Sequence, residues 1–394
     1  MASSHPSHVF NTDFCLRLAK HIGLEEIEKG SNCVFSPLSM YVVLSMIAAG
    51  SKGRTLEQML SFLNVESIEK LNVLSSQLFN LTTSNGAATT GPVLSLVNGV
   101  WVEQLFPLKQ AFKDVMNRVY KAEACAVDFQ NQGDEVSKEV NAWVRNRTNG
   151  LIGELLPPGS VDKSTLLVLA NALYFQGSWT KKFISTETCE REFYLLNGNS
   201  VHASFMTNKH KQLLRAFDGF KVLKLPYHGR KEENRFAMYL LLPDERNGLK
   251  NLVLNMCSDP EFLDRYTRVW EANVGEFRIP KFKTSFGFEA TEMFKEMGLD
   301  LPFSMQAELH DMVEFVQKKG VIYVSDIFHK SFVEVNEEGS LAAAGTGGCG
   351  RLLSGSRAPP IDFVADHPFM FVIREETSGT VLFIGHVLNP LLVN

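Results

Sequence analysis

The sequence predicts an α+β fold in one domain of residues 1–394, because helical patterns fall early in the chain and strand patterns fall late. Two further observations support this class. The chain carries no internal repeat, and no stretch of linker composition divides it. At 394 residues, a single domain buries roughly three quarters of its unfolded surface, so the expected core is large.

The early helices are recognised from the spacing of their apolar residues. Apolar side chains recur every four positions from Phe10 to Ile22, and Gly23 follows. This is typical of an amphipathic helix that stops at the glycine. A second, almost wholly apolar helix is predicted to end near Gly50, and valines and a tryptophan at helical spacing mark a third in residues 136–144.

Strand patterns dominate the rest of the chain. Residues 93–102 are strand-like and follow a polar surface connection at residues 82–91. Residues 166–175 are almost continuously apolar, as expected of a central strand that is covered on both faces. Four later strands are predicted at residues 220–225, 236–242, 369–373 and 381–387.

Charge and cysteine usage bound the compartment and the partners. The net charge of −5 argues against nucleic acid or an anionic membrane as the main partner. The six cysteines show no CxxC spacing, which suits a reduced compartment. The first residues lack the features of a signal peptide, and serines and a proline interrupt the longest apolar stretch, residues 34–50. We therefore expect a soluble cytoplasmic or nucleocytoplasmic protein, with release from the cell as the alternative.

Motifs for catalysis, metals or cofactors are few. Residues 345–350 match GxGxxG, but the glycine and prolines that follow prevent the long helix that a dinucleotide site needs. Metalloprotease, P-loop and hydrolase-elbow motifs do not occur. Asp366 and His367 are adjacent, and neighbours on a strand point to opposite faces, so we expect no acid–histidine dyad. These observations predict that the chain is not an enzyme and has no metal site and no cofactor.

A loop of small residues near the C-terminal end is the most distinctive stretch of the chain. It covers residues 338–360 and carries no apolar stripe that would anchor it to a core. Long loops of this kind inside a compact domain are usually functional or disordered. Ser340 and every second residue after it, up to Thr346, are small and would share one face of a strand. The alternation predicts a loop that becomes a strand between two existing ones.

Five motifs in the family's order make this sequence resemble the serpins. They are residues 35–39 (FSPLS), 171–179 (NALYFQGSW), 328–330 (FHK), 335–339 (VNEEG), and a C-terminal signature at 366–369 (DHPF) and 383–390 (FIGHVLNP). The amino-acid sequence of residues 363–369, together with the expected lack of a signal peptide, is most similar to the plant branch of the family.

The resemblance implies a fold of three β-sheets and about nine helices, with residues 338–360 as an exposed reactive-centre loop. It also implies a suicide mechanism. A target protease cleaves the loop and forms an acyl-enzyme, and the cut loop then inserts as a new strand in the main sheet and traps the protease. The expected protein is a monomer whose partner is that protease.

The resemblance assigns roles to particular residues, each with a structural alternative. A polar cluster beneath the opening point of the main sheet would either control the opening of the sheet or be only a fully hydrogen-bonded buried cluster that stabilises the fold. It comprises Ser36, Ser39, Asn171 and His329. Where the loop first inserts, an ion pair between Lys281 and Glu337 would either control loop insertion or be a surface salt bridge that contributes little stability. This region comprises Trp179, Lys281 and Glu337. The hinge comprises Glu337, Gly339, Ser340, Leu341, Ala342, Ala343 and Ala344. Insertion would carry the Ser340 side chain from solvent to beneath the main sheet and leave Leu341 facing outward.

The reactive bond follows from the family's usual spacing. Counting forward from Gly339 places it at Leu353-Ser354. Leucine suits the apolar specificity pocket of chymotrypsin-like, cathepsin G-like or papain-like proteases. The alternative is Arg351-Leu352, which would attract trypsin-like or Arg-specific cysteine proteases.

Two functions stay open from the sequence. The first is an inhibitor of serine or cysteine proteases, which the small residues of the hinge favour. The second is a non-inhibitory serpin that serves in storage, as a carrier or as a chaperone-like protein. Four glycines in residues 345–350 favour this second class, because glycine weakens a strand by entropy and missing packing.

Overall fold

The structure is a computed structural model that describes residues 12–83, 92–229, 235–314, 320–340 and 359–393. Within these ranges it has nine α-helices: α1 Thr12–Lys29, α2 Pro37–Gly50, α3 Gly53–Phe62, α4 Ile68–Thr83, α5 Gln110–Arg118, α6 Phe129–Arg147, α7 Leu249–Ser258, α8 Phe262–Tyr266 and α9 Thr291–Glu296. None of the helices in the described ranges combines the length and the apolar character that crossing a membrane requires.

The same ranges contain seventeen strands. They are β1 Cys33–Phe35, β2 Val93–Glu103, β3 Glu123–Val127, β4 Leu167–Ser178, β5 Cys189–Tyr194, β6 Ser200–Met206, β7 Gln212–Phe217, β8 Phe220–Pro226, β9 Phe236–Pro243, β10 Trp270–Ala272, β11 Val274–Pro280, β12 Phe282–Glu289, β13 Asp326–Val335, β14 Gly339–Ser340, β15 Ile361–Val364, β16 Phe369–Glu375 and β17 Val381–Val387.

The strands form three sheets, which confirms the predicted architecture. The main sheet has six strands in the order β12-β13-β14-β4-β2-β3. The core sheet has seven, in the order β1-β17-β16-β9-β8-β7-β10, and the small sheet has four, in the order β15-β11-β6-β5. Strands that are distant in the sequence are neighbours in all three sheets, so long-range pairing decides the topology.

Strand β4 shows why its sequence is apolar without a break. Leu169 and Leu173 point inward to the large core, whereas Ala170 and Ala172 point outward and are covered by α6. A strand that is buried on both faces needs apolar residues at consecutive positions. The prediction of a central strand at residues 166–175 is confirmed.

Helix α2 begins as its sequence suggests. The Ser36 hydroxyl accepts a hydrogen bond from the backbone N–H of Ser39, and Pro37 occupies the first helical position. Both features are typical of a helix N-terminus. Nearly all of α2 is buried, so it serves as the central support on which the sheets pack.

The prediction that the first helix stops at Gly23 is wrong. Helix α1 continues to Lys29, and Gly23 lies within it. A Cβ built on Gly23 would make only an ordinary contact of 3.6 Å with Val253 Cγ1 of α7, so packing does not require the glycine. The helix continues because Ile27, one turn further on, is buried in the core, which offsets the cost of about 1 kcal/mol for a glycine within a helix. The chain turns at Gly30, whose φ of +73° is in the left-handed region that favours glycine.

Candidate functional site

The candidate site is the opening between β4 and β13, where the reactive-centre loop begins. Lower in the main sheet these strands pair directly in parallel, and the pairing ends at Phe332 opposite Tyr174. Above that point β14 lies between them, with Ser340 opposite both Gly177 of β4 and Val335 of β13. Two loop residues therefore already form a short strand that is antiparallel to both neighbours.

Two residues turn the chain into this opening. Asn336 Oδ1 accepts hydrogen bonds from the backbone N–H groups of Glu338 (3.0 Å) and Gly339 (3.2 Å), which closes a tight turn. Gly339 then runs so close to β4 that a Cβ built on it would lie 2.0 Å from the carbonyl oxygen of Gly177. Any larger residue at position 339 would push the hinge away from the sheet.

The expected position of Ser340 is wrong for the structure described. Its side chain is fully buried rather than facing solvent, and its hydroxyl lies 2.8 Å from the hydroxyl of Tyr227. The reason is the pairing of β14 with β4, which already directs Ser340 to the inner face of the main sheet. Burial raises the pKa of Tyr227, so this phenol stays neutral and able to hydrogen-bond.

Trp179 lies at the end of β4 and holds the chain just before the hinge. Its indole Nε1 donates to the carbonyl oxygen of Asn336 (2.9 Å), and its backbone N–H donates to that of Glu338 (2.9 Å). The Trp179 ring stacks on Tyr227 with ring centroids 4.6 Å apart. Sequence reasoning found Trp179 but missed Tyr227, because no local pattern shows that a residue following β8 meets the main sheet.

Glu337 and Lys281 form the predicted ion pair, with Glu337 Oε2 3.0 Å from Lys281 Nζ. The glutamate side chain is only 15% exposed, and its other oxygen accepts from the Thr188 hydroxyl at 2.9 Å. Burial raises the pKa of Glu337, but hydrogen bonds from Lys281, its own backbone and Thr188 outweigh this and leave the pKa below its ordinary value. The pair is therefore better anchored than an exposed salt bridge. The next residue, Glu338, pairs with Lys182.

The predicted polar cluster is assembled around Asn171. Its Oδ1 accepts from His329 Nδ1 (2.9 Å) and from the Ser39 hydroxyl. The backbone N–H of Ser36 donates to His329 Nε2 (3.3 Å), which leaves the proton on Nδ1. Burial lowers the pKa of His329 to about 3, so the ring is neutral at ordinary pH. All four predicted members come together, directly below the point where β4 and β13 separate.

Two further members of the cluster were missed. Asn171 Nδ2 donates to Asn98 Oδ1, and the Ser331 hydroxyl lies 2.9 Å from His329 Nε2. Both residues are fully or almost fully buried. Asn98 is a polar residue within a largely apolar strand, a signal that could have identified it, whereas Ser331 lies in a strand of mixed polarity and carries no such signal.

The rest of the predicted site lies outside the described residues. This holds for the reactive bond Leu353-Ser354, for its alternative Arg351-Leu352, and for the hinge positions Leu341, Ala342, Ala343 and Ala344. The glycine-rich residues 345–350 and most of the connection at 82–91 also lie outside them.

The reasoning that separated Asp366 from His367 is wrong. These residues lie in a bend between β15 and β16 rather than on a strand, and His367 Nδ1 lies 2.7 Å from Asp366 Oδ1. The other ring nitrogen is 2.8 Å from the carbonyl oxygen of Pro243, and the ring is almost fully buried. Both nitrogens are occupied, so the pair secures the bend. In the described ranges no group of three or more potential ligands could hold a metal ion.

Comparison with known proteins agrees with this geometry. Residues 10–390 match the family described as Serpin (serine protease inhibitor). The chain is 48% identical to Serpin-ZXA of Oryza sativa subsp. japonica, over 97% of this chain and 96% of that protein. It is also 48% identical to Serpin-ZX of Arabidopsis thaliana, over 95% of this chain and 96% of that protein.

A solved structure shows the same fold. The native stressed conformation of an Arabidopsis serpin, AtSerpin1, superimposes with a TM-score of 0.88 at 46% identity, covering 96% of this chain and 97% of that one. The motifs, the three sheets and these similarities agree: the chain belongs to the serpin family and resembles its plant members.

Proposed function

We propose that this chain, as a single serpin domain, inhibits serine or cysteine proteases by inserting its cleaved reactive-centre loop into the main sheet. One observation carries the proposal. Gly339 and Ser340 already occupy the opening between β4 and β13, in the orientation that further insertion would continue. This is the position from which a cleaved loop would start to insert as a strand.

Continuing this pairing predicts where each loop residue would go. Residue 342 would lie opposite Phe175 of β4, and residue 344 opposite Leu173, both on the inner face. Thr346 would lie opposite Asn171 of β4 and His329 of β13. The small even-numbered residues would thus enter the core, and a threonine hydroxyl would reach the polar cluster.

The same register gives the glycines a favourable role. Gly345 and Gly347 would lie opposite Ala172 and Ala170, on the face of β4 that α6 covers. This layer is tightly filled, so residues without side chains let the strand pass beneath α6 with little displacement. The glycines weaken strand propensity, but they also remove the steric barrier at this position.

The protease class and the reactive bond are part of the proposal. We infer cleavage at Leu353-Ser354 by chymotrypsin-like, cathepsin G-like or papain-like enzymes, with Arg351-Leu352 and Arg-specific proteases as the alternative. The monomeric state and the cytoplasmic or nucleocytoplasmic location stay predictions.

Incubation with chymotrypsin, papain and trypsin tests the proposal. A complex with one of these enzymes that survives SDS gel electrophoresis is the expected result, and mass spectrometry should show a released C-terminal fragment beginning at Ser354. A fragment beginning at Leu352 would move the bond to the arginine site. Complete cleavage without any stable complex would instead support the non-inhibitory class.

A further inference from the structure

The connector between α6 and β4, residues 148–166, lies on the outer face of the main sheet. Its buried apolar side chains belong to the same packed layer as α6 and the outward-facing residues of β4 and β13. They are Ile152, Leu155, Leu156 and Val161. The connector thus covers the two strands that an inserting loop would separate.

One tie joins the connector to β4. Asn149 Nδ2 donates a hydrogen bond to the hydroxyl of Tyr174 at 3.2 Å. Tyr174 is almost fully buried, and it is the last residue of β4 that pairs directly with β13, opposite Phe332. This tie therefore lies at the point where the closed part of the sheet ends.

A second tie joins the same connector to β13. Lys330 Nζ donates to the carbonyl oxygen of Glu154 at 2.7 Å, and hydrogen bonds from a charged donor are stronger than neutral ones. Lys330 lies opposite Ala172 of β4, two residues below the first tie. It belongs to the motif at residues 328–330, from which the resemblance gave only His329 a role.

The connector is also fixed to α6, which makes the two a single body. Asn141 Oδ1 accepts from the backbone N–H groups of Leu155 (2.8 Å) and Leu156 (2.9 Å), and its Nδ2 donates to the carbonyl oxygen of Leu156 (2.9 Å). The Arg145 guanidinium donates to the carbonyl oxygen of Gly153 (3.1 Å). The distance between the two ties is therefore fixed by α6 and the connector together.

Insertion of a strand is incompatible with keeping both ties. Neighbouring strands lie about 4.8 Å apart, so a new strand would move β13 away from β4 by about that distance. A hydrogen bond is lost once its atoms are about 3.6 Å apart. The register of β14, continued downward, would bring Gly345 between Ala172 and Lys330, next to the second tie.

We propose that residues 148–166 form a strap that holds β4 and β13 together, and that Tyr174 and Lys330 are positioning residues that set how readily the loop inserts. The proposal deepens the proposed inhibitory function and rests on it. Its first test uses the uncleaved chain without any protease, so failure of the strap and failure of inhibition are distinguishable.

Hydrogen exchange of the double variant Tyr174→Phe with Lys330→Met is that test. Both replacements keep the length and packing of the side chain and remove only the tie. We expect amides of residues 168–174 and 326–332 to exchange at least about tenfold faster, because β4 and β13 separate more often. Amides of β9 in the core sheet report global unfolding and should exchange at an unchanged rate.

Arg145→Met is the matched control. It also removes a bond from a cation to a connector carbonyl, but its anchor is α6 instead of the sheet. Exchange at residues 168–174 and 326–332 should stay as in the unmodified chain. Unchanged exchange in the double variant, or equal acceleration in Arg145→Met, overturns the strap.

The link to insertion is tested in the Ser340→Arg background, where an arginine that must be buried should slow insertion. Adding the double variant should lower the stoichiometry of inhibition by about threefold or more, since the ties no longer oppose insertion. Faster exchange without this decrease overturns the control of insertion. If the unmodified chain traps no protease, the proposed function fails, and exchange alone still decides whether the strap exists.

Discussion

The upper and lower halves of the boundary between β4 and β13 differ in what holds them together. In the lower half, from Val168–Asp326 to Tyr174–Phe332, the strands pair directly and the buried polar cluster joins them on the inner face. In the upper half they are separated by two hinge residues, and Tyr227 supplies an inner-face hydrogen bond to Ser340. The sheet is thus closed where the two strands pair directly, and where it is open the hinge between them is held by side chains such as Trp179, Lys281 and Tyr227.

It follows that β4 and β13 can separate further only if their direct contacts are replaced by contacts to an inserted strand. The lower pairs are parallel, and an inserted strand would replace them by two antiparallel ladders. Each backbone hydrogen bond is worth roughly 1 kcal/mol net. If the loop inserts as proposed, a net gain of a dozen bonds would release on the order of 10 kcal/mol, and the closed lower half would then be the less stable arrangement once the loop is cleaved.

The largest expected effect comes from freeing the loop. Cleavage within residues 350–357 should convert the lower half to the inserted arrangement and raise the thermal midpoint by roughly 10 °C or more. Unfolding measured before and after limited proteolysis checks this. An unchanged midpoint would mean that the lower half stays closed and that the difference between the two halves plays no part in function.

Ser340→Arg attacks the upper half directly. An unpaired arginine beside Tyr227 would cost several kcal/mol, so the hinge should leave the opening and insertion should slow. Acylation should be unaffected, because the reactive bond is far along the loop. We expect the stoichiometry of inhibition to rise about tenfold or more, with cleavage at the same bond.

Leu341→Arg is the matched control for that variant. Continued past Ser340, the register would bring residue 341 of an inserted loop beside Gln176, which is half-buried on the outer face of β4, so the arginine would remain in solvent. Its stoichiometry should change far less. Equal losses at positions 340 and 341 would refute the alternation of faces, and no loss at position 340 would refute insertion.

Asn171→Ala probes the lower half. It would leave Ser39, His329 and Asn98 without their shared partner in a fully buried place, where each unmet group costs about 1–3 kcal/mol. We expect a loss of about 3 kcal/mol or more in the free energy of unfolding, measured by denaturant titration. Asn255→Ala, on the exposed side of α7, should change it by less than about 0.5 kcal/mol.

The lower half was largely predictable from the sequence, and the upper half was not. The unbroken apolar run of β4 required burial on both faces, and Ser36 and Pro37 marked the start of α2. The polar cluster followed from motifs that resemble the family's. In all these cases the local sequence carries the relevant information.

The upper half depends on contacts between distant segments. The burial of Ser340 depends on Gly177 of β4 and on Tyr227, more than 100 positions earlier in the chain, and an alternating pattern shows which residues share a face but not whether that face is already covered. The extension of α1 past Gly23 has the same cause, since burial of Ile27 in the core offsets the weak helix propensity of the glycine. The error at Asp366 and His367 has another cause. A strand was assumed at these residues, whereas the chain bends there.

Tyr227→Phe tests a single hydrogen bond of the upper half, the one between Tyr227 and Ser340. It removes one hydroxyl and leaves that of Ser340 without its partner, at a cost of about 1 kcal/mol. Hydrogen exchange at the amides of residues 336–340 should become several times faster, because the hinge opens more often. Tyr239→Phe, which removes a hydroxyl bonded to Glu376 in the core sheet, should leave exchange in the hinge unchanged. Equal acceleration by both variants would mean that the Tyr227 bond does not hold the hinge.

The smallest effect is expected from Lys281→Ala. The pKa of Glu337 is lower in the folded chain than in the unfolded one, where glutamate titrates near 4.3. A depressed carboxylate pKa stabilises the fold above the unfolded value, and the contribution is lost as the pH falls through the folded value. The lysine accounts for part of this depression, so its removal should cost about 1 kcal/mol or less at pH 7 and progressively less below pH 4.

Lys283→Ala is the matched control, because Lys283 lies two residues further along and pairs with Glu334 at 3.7 Å without touching the hinge. Thermal midpoints of both variants, measured from pH 7 to pH 3, should differ most at neutral pH and converge in acid. If the two variants behave alike at every pH, the Lys281–Glu337 pair is an ordinary surface ion pair and the upper half is held by its other contacts, above all those of Trp179 and Tyr227.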